Sequence, residues 1–269
     1  MRRFVCAVAW MIAASEGWAA EAAEDDGTYH VLLTAGVGRF TGYYGEEERT
    51  KLDVVNLTNR WYFDRAEFQV SVAYLRIDGP ADIIFVDGQP IQVDDDSTAG
   101  ASRTESGFGD VTLRGEYYLH RGSSTSPWII GLLRVTLPTG DETKGLGTGV
   151  TDVETGLSFI QRFGRVDWLA DVGYTFVGKS GDGPEGRNQL RLGAGASVPF
   201  GKDQRHSYYV YVENRTSRFS SSEDKRTVSA GASTAFTQAK RVRLSASIDF
   251  GLTDSTEDVG IYVSLGRRY

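Results

Sequence analysis

One cysteine, six prolines and three histidines are all that this chain of 269 residues holds of those types. The cysteine, Cys6, falls in an N-terminal stretch, residues 1–20, laid out like a secretory signal: Arg2 and Arg3, an apolar run from Phe4 to Ala14, then Trp18-Ala19-Ala20 ahead of Glu21. Arg3-Phe4-Val5 before Cys6 does not suit lipoprotein processing, so the expected mature chain, residues 21–269, holds no thiol. That excludes disulfides, thiolate nucleophiles and cysteine-bound metals. Positive charge is scarce as well. Without Arg2, Arg3 and Glu16 the chain keeps 27 basic against 35 acidic residues, a charge of −8 that argues against a nucleic-acid partner.

Long apolar runs are also missing. The longest uncharged stretch beyond the signal, Thr227 to Ala239, is rich in Ser, Thr and Gly, so no helix here is expected to cross a bilayer. Helical periodicity is nearly absent after residue 27, and alternation with period two recurs instead. In Arg241 to Leu252 the residues Val242, Leu244, Ala246, Ile248, Phe250 and Leu252 interleave with polar or small ones. Asp110 to His120, Val166 to Phe176 and Leu190 to Val198 repeat the pattern, with one apolar side and one wet side.

Twelve strands are expected, over 28–40, 51–63, 66–78, 107–120, 127–137, 150–163, 165–178, 187–199, 206–217, 226–237, 240–252 and 258–269. Their connections alternate in length. Asp64-Arg65, Gly164 and Gln238-Ala239 are tight, whereas Thr41 to Thr50, Gly79 to Ser106, Pro138 to Gly149, Lys179 to Gly186 and Arg218 to Lys225 are long or charged. An even strand count with short turns at one end and long loops at the other fits an all-β fold, a transmembrane antiparallel up-and-down β-barrel of the bacterial outer membrane. A soluble exported β-sandwich is the structural alternative.

Aromatic residues support the barrel. Trp61, Phe63, Phe68, Tyr117, Trp128, Phe159, Phe163, Trp168, Phe200, Tyr208, Phe236 and Tyr269 fall near the short turns, where an interfacial girdle belongs. Phe40, Tyr43, Tyr74, Tyr174, Phe176, Phe219 and Phe250 suit the opposite belt. The last segment alternates and ends on Tyr269, resembling the terminal strand by which the barrel assembly machinery recognises its clients, with Arg267 interrupting the apolar face. The expected surroundings are therefore the lipid bilayer and lipopolysaccharide.

If the apolar face meets lipid, the polar face lines the lumen. Its candidate residues are Asp110, Arg114, Glu116, Arg134, Asp152, Glu154, Asp171, Arg191, Arg241, Arg243 and Asp249, joined by Glu67, Asp167, Glu213 and Arg215. Both signs are present, which suits a salt-bridged interior, with any unpaired members free to set selectivity along a path. Glu46-Glu47-Glu48 and Asp94-Asp95-Asp96 sit in long loops where clustered carboxylates suit Ca²⁺ or Mg²⁺, although such runs are more often merely solvated and no EF-hand spacing is present. Catalysis finds little support. His30, His120 and His206 fall at strand ends, and adjacent His206 and Ser207 point to opposite faces of one strand, so they form no dyad. Gly36-Val37-Gly38 and Gly145 to Gly149 are too weak for nucleotide or phosphate loops, and no cofactor is expected.

Residues 107 to 178 carry a family resemblance. Gly107-Phe108-Gly109-Asp110-Val111, Leu137-Pro138-Thr139-Gly140-Asp141, Gly145-Leu146-Gly147-Thr148-Gly149 with Asp152-Val153, and Gly173-Tyr174-Thr175 resemble the outer-membrane barrels of the "MetA-pathway of phenol degradation" family. The resemblance implies a porin-like channel that passes small solutes, aromatic or hydrophobic compounds among them, by passive diffusion. It brings no substrate residues with it. The competing expectation is a closed structural or recognition barrel working through its long external loops.

Overall fold

The computed structural model describes residues 30–86, 89–92, 101–123, 125–179, 186–201, 204–219, 223–236 and 241–269. The signal expected over residues 1–20 and the run Asp94-Asp95-Asp96 lie outside them. The described strands are β1 Val31–Gly42, β2 Thr50–Tyr62, β3 Ala66–Pro80, β4 Ile83–Val86, β5 Gln89–Gln92, β6 Ser102–Phe108, β7 Val111–His120, β8 Trp128–Leu137, β9 Asp152–Phe163, β10 Val166–Phe176, β11 Gln189–Phe200, β12 His206–Arg215, β13 Lys225–Phe236, β14 Val242–Gly251 and β15 Val259–Arg268. One short 3₁₀ turn, Glu142–Lys144, interrupts the connection after β8.

Around the wall every pairing is antiparallel, β3 pairs with β2 on one side and with β6 and β7 on the other, and β1 pairs with both β2 and β15, which closes the wall; β4 and β5 pair only with each other. Strands β6 and β7 together form one stave. β3 matches Tyr74 to Phe108 in β6 and Ser71 to Thr112 in β7, so a bulge at Gly109-Asp110 adds one residue between them. The result is a closed barrel of twelve staves. Closure leaves no free edge, which is what allows a sheet to sit in hydrocarbon.

Following the register once around from Leu33 returns to β1 at position 47, a shear of about 14 residues. With strands about 4.8 Å apart and about 3.3 Å of rise per residue, this sets a tilt of about 39° and a backbone radius of about 12 Å. A tube of that bore stays open unless long side chains or loops enter it. Both do.

Outward positions are apolar and exposed, as at Leu33, Val37, Leu57, Leu133, Leu157, Leu192, Val210, Ile261 and Leu265. Most of the aromatic residues expected near the short turns face outward too, among them Phe63, Phe68, Tyr117, Phe163, Trp168 and Tyr208. Three aromatic placements differ from expectation. Trp128 packs against an inward cluster that includes Tyr118 and Ile130, Phe40 faces inward from β1, and Phe219 is buried beneath a loop hairpin. The expected loop from Gly79 to Ser106 is also more ordered than alternation suggests: β3 and β6 extend into it, and β4 and β5 form a hairpin within it. The end bearing the long connections is the extracellular one.

Candidate functional site

Midway along the lumen the wall from β7 to β12 lines the interior with charge, because polar members of the alternating strands point inward there, whereas nearer the short turns Tyr118, Ile130, Leu132, Ile160 and Leu169 of the same wall form an inward apolar cluster. Arg134 bonds Glu154, Glu154 accepts from Arg191 at 2.8 Å, and Arg191 also bonds Asp171. The Tyr211 hydroxyl donates to Asp171 at 3.0 Å, and the chain continues through Glu213, 3.8 Å from Arg191 and 3.4 Å from Arg215. Arg191 is 1% exposed, so this is a packed lattice of ion pairs rather than a hydrated ring. Nearby, Arg114 pairs with Glu116, and Arg60 donates to Gln69 at 2.9 Å. Nearer the mouth Arg218 reaches Asp152 at 2.5 Å.

The opposite wall is unlike it. In the outer half of the lumen, Phe40, Leu52, Val54, Ala73, Leu75, Ile77 and Tyr262 of β1, β2, β3 and β15 face inward and are buried. Two groups that come from outside the wall complete this cluster, Phe85 of the β4–β5 hairpin and Leu146 of the loop after β8. Alternation hid this surface, because β2 there carries apolar residues on both faces, with Leu52 and Val54 inside and Val55 outside.

The β4–β5 hairpin reaches across the mouth. At its base Arg103 donates to the carbonyl of Ile83 at 3.3 Å, and Phe85 donates its backbone N–H to Gly145 at 2.7 Å. On its far side Val86 and Ile91 pack on Phe219, and Lys225 of β13 donates to the carbonyl of Pro90 at 2.6 Å. β3 and β13 lie on opposite sides of the barrel, so these contacts make the hairpin a bar across the opening.

The loop after β8 is held by the segments that carry the family resemblance. The carboxylate of Asp110, at the β6–β7 bulge, accepts from the backbone of Gly140 at 2.8 Å and of Thr148 at 3.3 Å. Thr139 accepts from Val111 N–H at 2.8 Å, and the Asp141 side chain caps the short 3₁₀ turn. A Cβ at Gly147 would meet the Asp110 carboxylate, and Gly145 sits at φ 66°, so the glycines permit the close approach and the turn. These residues, scattered through the sequence, form one knot that presses Leu146 into the apolar wall.

Most of the candidate lumen residues occupy inward positions: Arg114, Glu116, Arg134, Asp152, Glu154, Asp171, Arg191 and Asp249 are buried, and Arg243 is half-buried with a 3.4 Å contact to Ser233. Two stand elsewhere. Asp110 serves the loop knot, and Arg241 lies exposed just before β14, at the periplasmic rim, because the alternating pattern runs past the end of the strand. Glu46 accepts from Gln92 and Glu48 from Ser102, so two members of that acidic run fasten the mouth. Glu257, in the loop between β14 and β15, is buried, and burial pushes its carboxyl up to about 7. Among the described residues, no group of three or more His, Cys, Asp or Glu side chains is placed to hold a metal. A depression of about 660 Å³ bordered by Gly115, Tyr117, Gly131, Leu133, Leu157 and Tyr174 lies on the lipid-facing wall, outside the lumen.

Comparison with known proteins agrees with this architecture. The family described as "MetA-pathway of phenol degradation" matches residues 56–268. An outer membrane channel from Pseudomonas putida F1 superposes with a TM-score of 0.70 at 13% identity, over 91% of this chain and 100% of that one. The translocator domain of the autotransporter NalP from Neisseria meningitidis gives 0.57 at 10% identity, over 91% and 90%. The Pseudomonas putida toluene transporter TodX gives 0.51 at 10% identity, over 100% and 96%. At these identities the likeness is one of fold. Among curated proteins, none matches the sequence.

Proposed function

The chain belongs to the "MetA-pathway of phenol degradation" family, and from that premise we propose that it is an outer-membrane channel through which small solutes, aromatic or hydrophobic compounds among them, pass down their gradient. The observation that carries this reading is the inward apolar wall of Phe40, Leu52, Leu75 and Ile77, covered by Phe85 and Leu146. A purely structural barrel has little use for an apolar patch on one side of its outer lumen covered by a ring from a loop hairpin. A solute of similar chemistry takes the place of Phe85 when the hairpin swings out, and its burial offsets the exposure of the displaced ring.

The hairpin lies across the mouth, and on this reading it moves aside for conduction. The packed charges on the facing wall hold the barrel rigid while it does so. Residues 1–20 serve as the export signal and residues 21–269 as the barrel, with β15 and Tyr269 recognised by the assembly machinery and lipopolysaccharide around the outer half. The work is conduction, not catalysis. His206 is engaged with Thr234 at 2.7 Å and His120 contacts Ser126 at 3.3 Å, each within its own strand pairing or turn.

The test is flux into proteoliposomes of a monocyclic aromatic solute and of a sugar of similar mass, with single-channel conductance in planar bilayers. Aromatic flux above that of empty vesicles is expected, and it should rise when residues 81–101 are replaced by a short Gly-Ser linker. A correctly folded barrel that passes neither solute, with or without the hairpin, overturns the reading in favour of a recognition barrel whose loops do the work.

A further inference from the structure

Three rows of outward residues, matched by register across β1, β2, β3 and β6, cross one side of the wall. The first row, Val37, Val55, Tyr74 and Phe108, is apolar and exposed. Two residues nearer the outside the row reads Arg39, Asp53, Arg76 and Ser106, and the next reads Thr41, Lys51, Asp78 and Thr104. The change from hydrocarbon to charge takes a single step of about 6.6 Å along the strand. An arginine on the lipid face costs about 2–4 kcal/mol at the midplane and about 0–1 near an interface, so this step marks the outer boundary of the hydrocarbon.

The charges in these rows do not cancel. Arg39 grips Asp53 with both arms at 2.6 and 2.9 Å, although its own side chain is 69% exposed. Lys51 stands 3.9 Å from Asp78, which also accepts from Thr104 at 2.9 Å. Arg76, beside Asp53 in the register, is exposed and shares the charge of the Asp53 carboxylate with Arg39 without an ion pair within 4 Å among the described residues. One guanidinium is therefore in excess, flanked by a second and by an ammonium. Elsewhere the outward positions below the long loops are mostly apolar, as at Phe176, Leu190, Val212 and Phe250, and Arg226 is tied to Asn214 at 2.9 Å.

We propose that Arg39, Arg76 and Lys51 form a binding site for a phosphate group of a phosphorylated glycolipid in the outer leaflet. The inference rests on the outer-membrane placement and is independent of conduction. The guanidinium of Arg76 offers phosphate oxygens a bidentate fork, with the remaining donor of Arg39 and the Lys51 ammonium adding charge beside it. The exposed row of Val37, Val55, Tyr74 and Phe108 lies directly beneath, where the acyl chains of such a lipid run, and this selects a lipid phosphate over a free one.

The experiment measures binding of bisphosphorylated lipid A to the folded full chain in phosphatidylethanolamine nanodiscs by native mass spectrometry. R39Q/R76Q should bind about tenfold more weakly. R226Q should bind as the parent does, and inorganic phosphate should fail to displace the lipid. Arg76→Gln alone leaves the Arg39–Asp53 pair intact and serves if the double variant does not fold. Unchanged affinity in the folded variants, equal loss in R226Q, or displacement by inorganic phosphate overturns the proposal. Gel mobility with and without boiling is recorded for each protein. A parent chain with no heat-dependent shift removes the membrane placement itself, whereas a retained shift with unchanged lipid affinity removes only this site.

Discussion

Replacing Arg191 by methionine tests whether the interior charges are packed or solvated. The guanidinium is 1% exposed and serves Glu154, Asp171 and Glu213 at once. Methionine fills much of the volume but removes the cation. Glu154 keeps Arg134 and Glu213 keeps Arg215, while Asp171 retains the Tyr211 hydroxyl as donor and loses its cation. Breaking a buried pair in this way costs about 3–5 kcal/mol, mostly the penalty of an uncompensated buried charge. The assay is urea unfolding in lipid vesicles, followed by tryptophan fluorescence and by the heat-modifiable gel band. Asp171→Asn in the Arg191→Met background should recover about 2 kcal/mol, since the orphaned charge goes with it. A loss below about 1 kcal/mol for Arg191→Met alone would refute the reasoning, because surface-like magnitudes mean that water reaches these groups and the lumen is open.

Phe85→Asp places a charge in the apolar wall and should expel the hairpin, raising conductance severalfold while the gel shift is unchanged; unaltered conductance means that the hairpin is no barrier. Leu157→Arg on the lipid face should cost about 2–4 kcal/mol in vesicle unfolding, an effect that vanishes if that face is wet. The raised carboxyl of Glu257 gives the mouth a pH dependence. Its folded state holds a proton that the unfolded chain releases, so the contribution is greatest below about 4.5 and is lost as pH rises toward about 7. Hydrogen exchange in residues 251–258 should accordingly be slower at pH 5 than at pH 8 after correction for intrinsic rates, and Glu257→Gln should leave only the smaller part of the difference that the neighbouring Lys225 ammonium contributes.

Much of the fold was legible in the sequence for a simple reason. A membrane barrel with a polar lumen alternates apolar and polar residues along most of its staves, so Val242 to Leu252 or Val166 to Phe176 announce both a strand and its orientation. Even Trp128 to Val135, apolar on both sides until Arg134, could be recognised as a strand, although its register could not. The structure turns Ile130, Leu132 and Arg134 inward. The candidate site was legible only in part. Arg134, Glu154, Asp171 and Arg191 are polar residues in alternating strands and so point inward, but their partners depend on register, which brings together residues up to 40 positions apart. Arg241 fits the same alternation, yet the strand begins one residue later and leaves it at the rim.

By itself the sequence determined a closed antiparallel barrel with one greasy face, short turns at one end and long loops at the other, because lipid tolerates no unpaired strand edge. Tertiary structure alone decided what fills the bore. Phe40, Leu52, Leu75 and Ile77 form an inward apolar wall only because β1, β2 and β3 are neighbours, and Phe85, Leu146 and Lys225 bring the hairpin across the mouth only because segments far apart in the chain meet there. Period-two alternation assigns each residue a side of the sheet, and it is silent about what stands across the lumen.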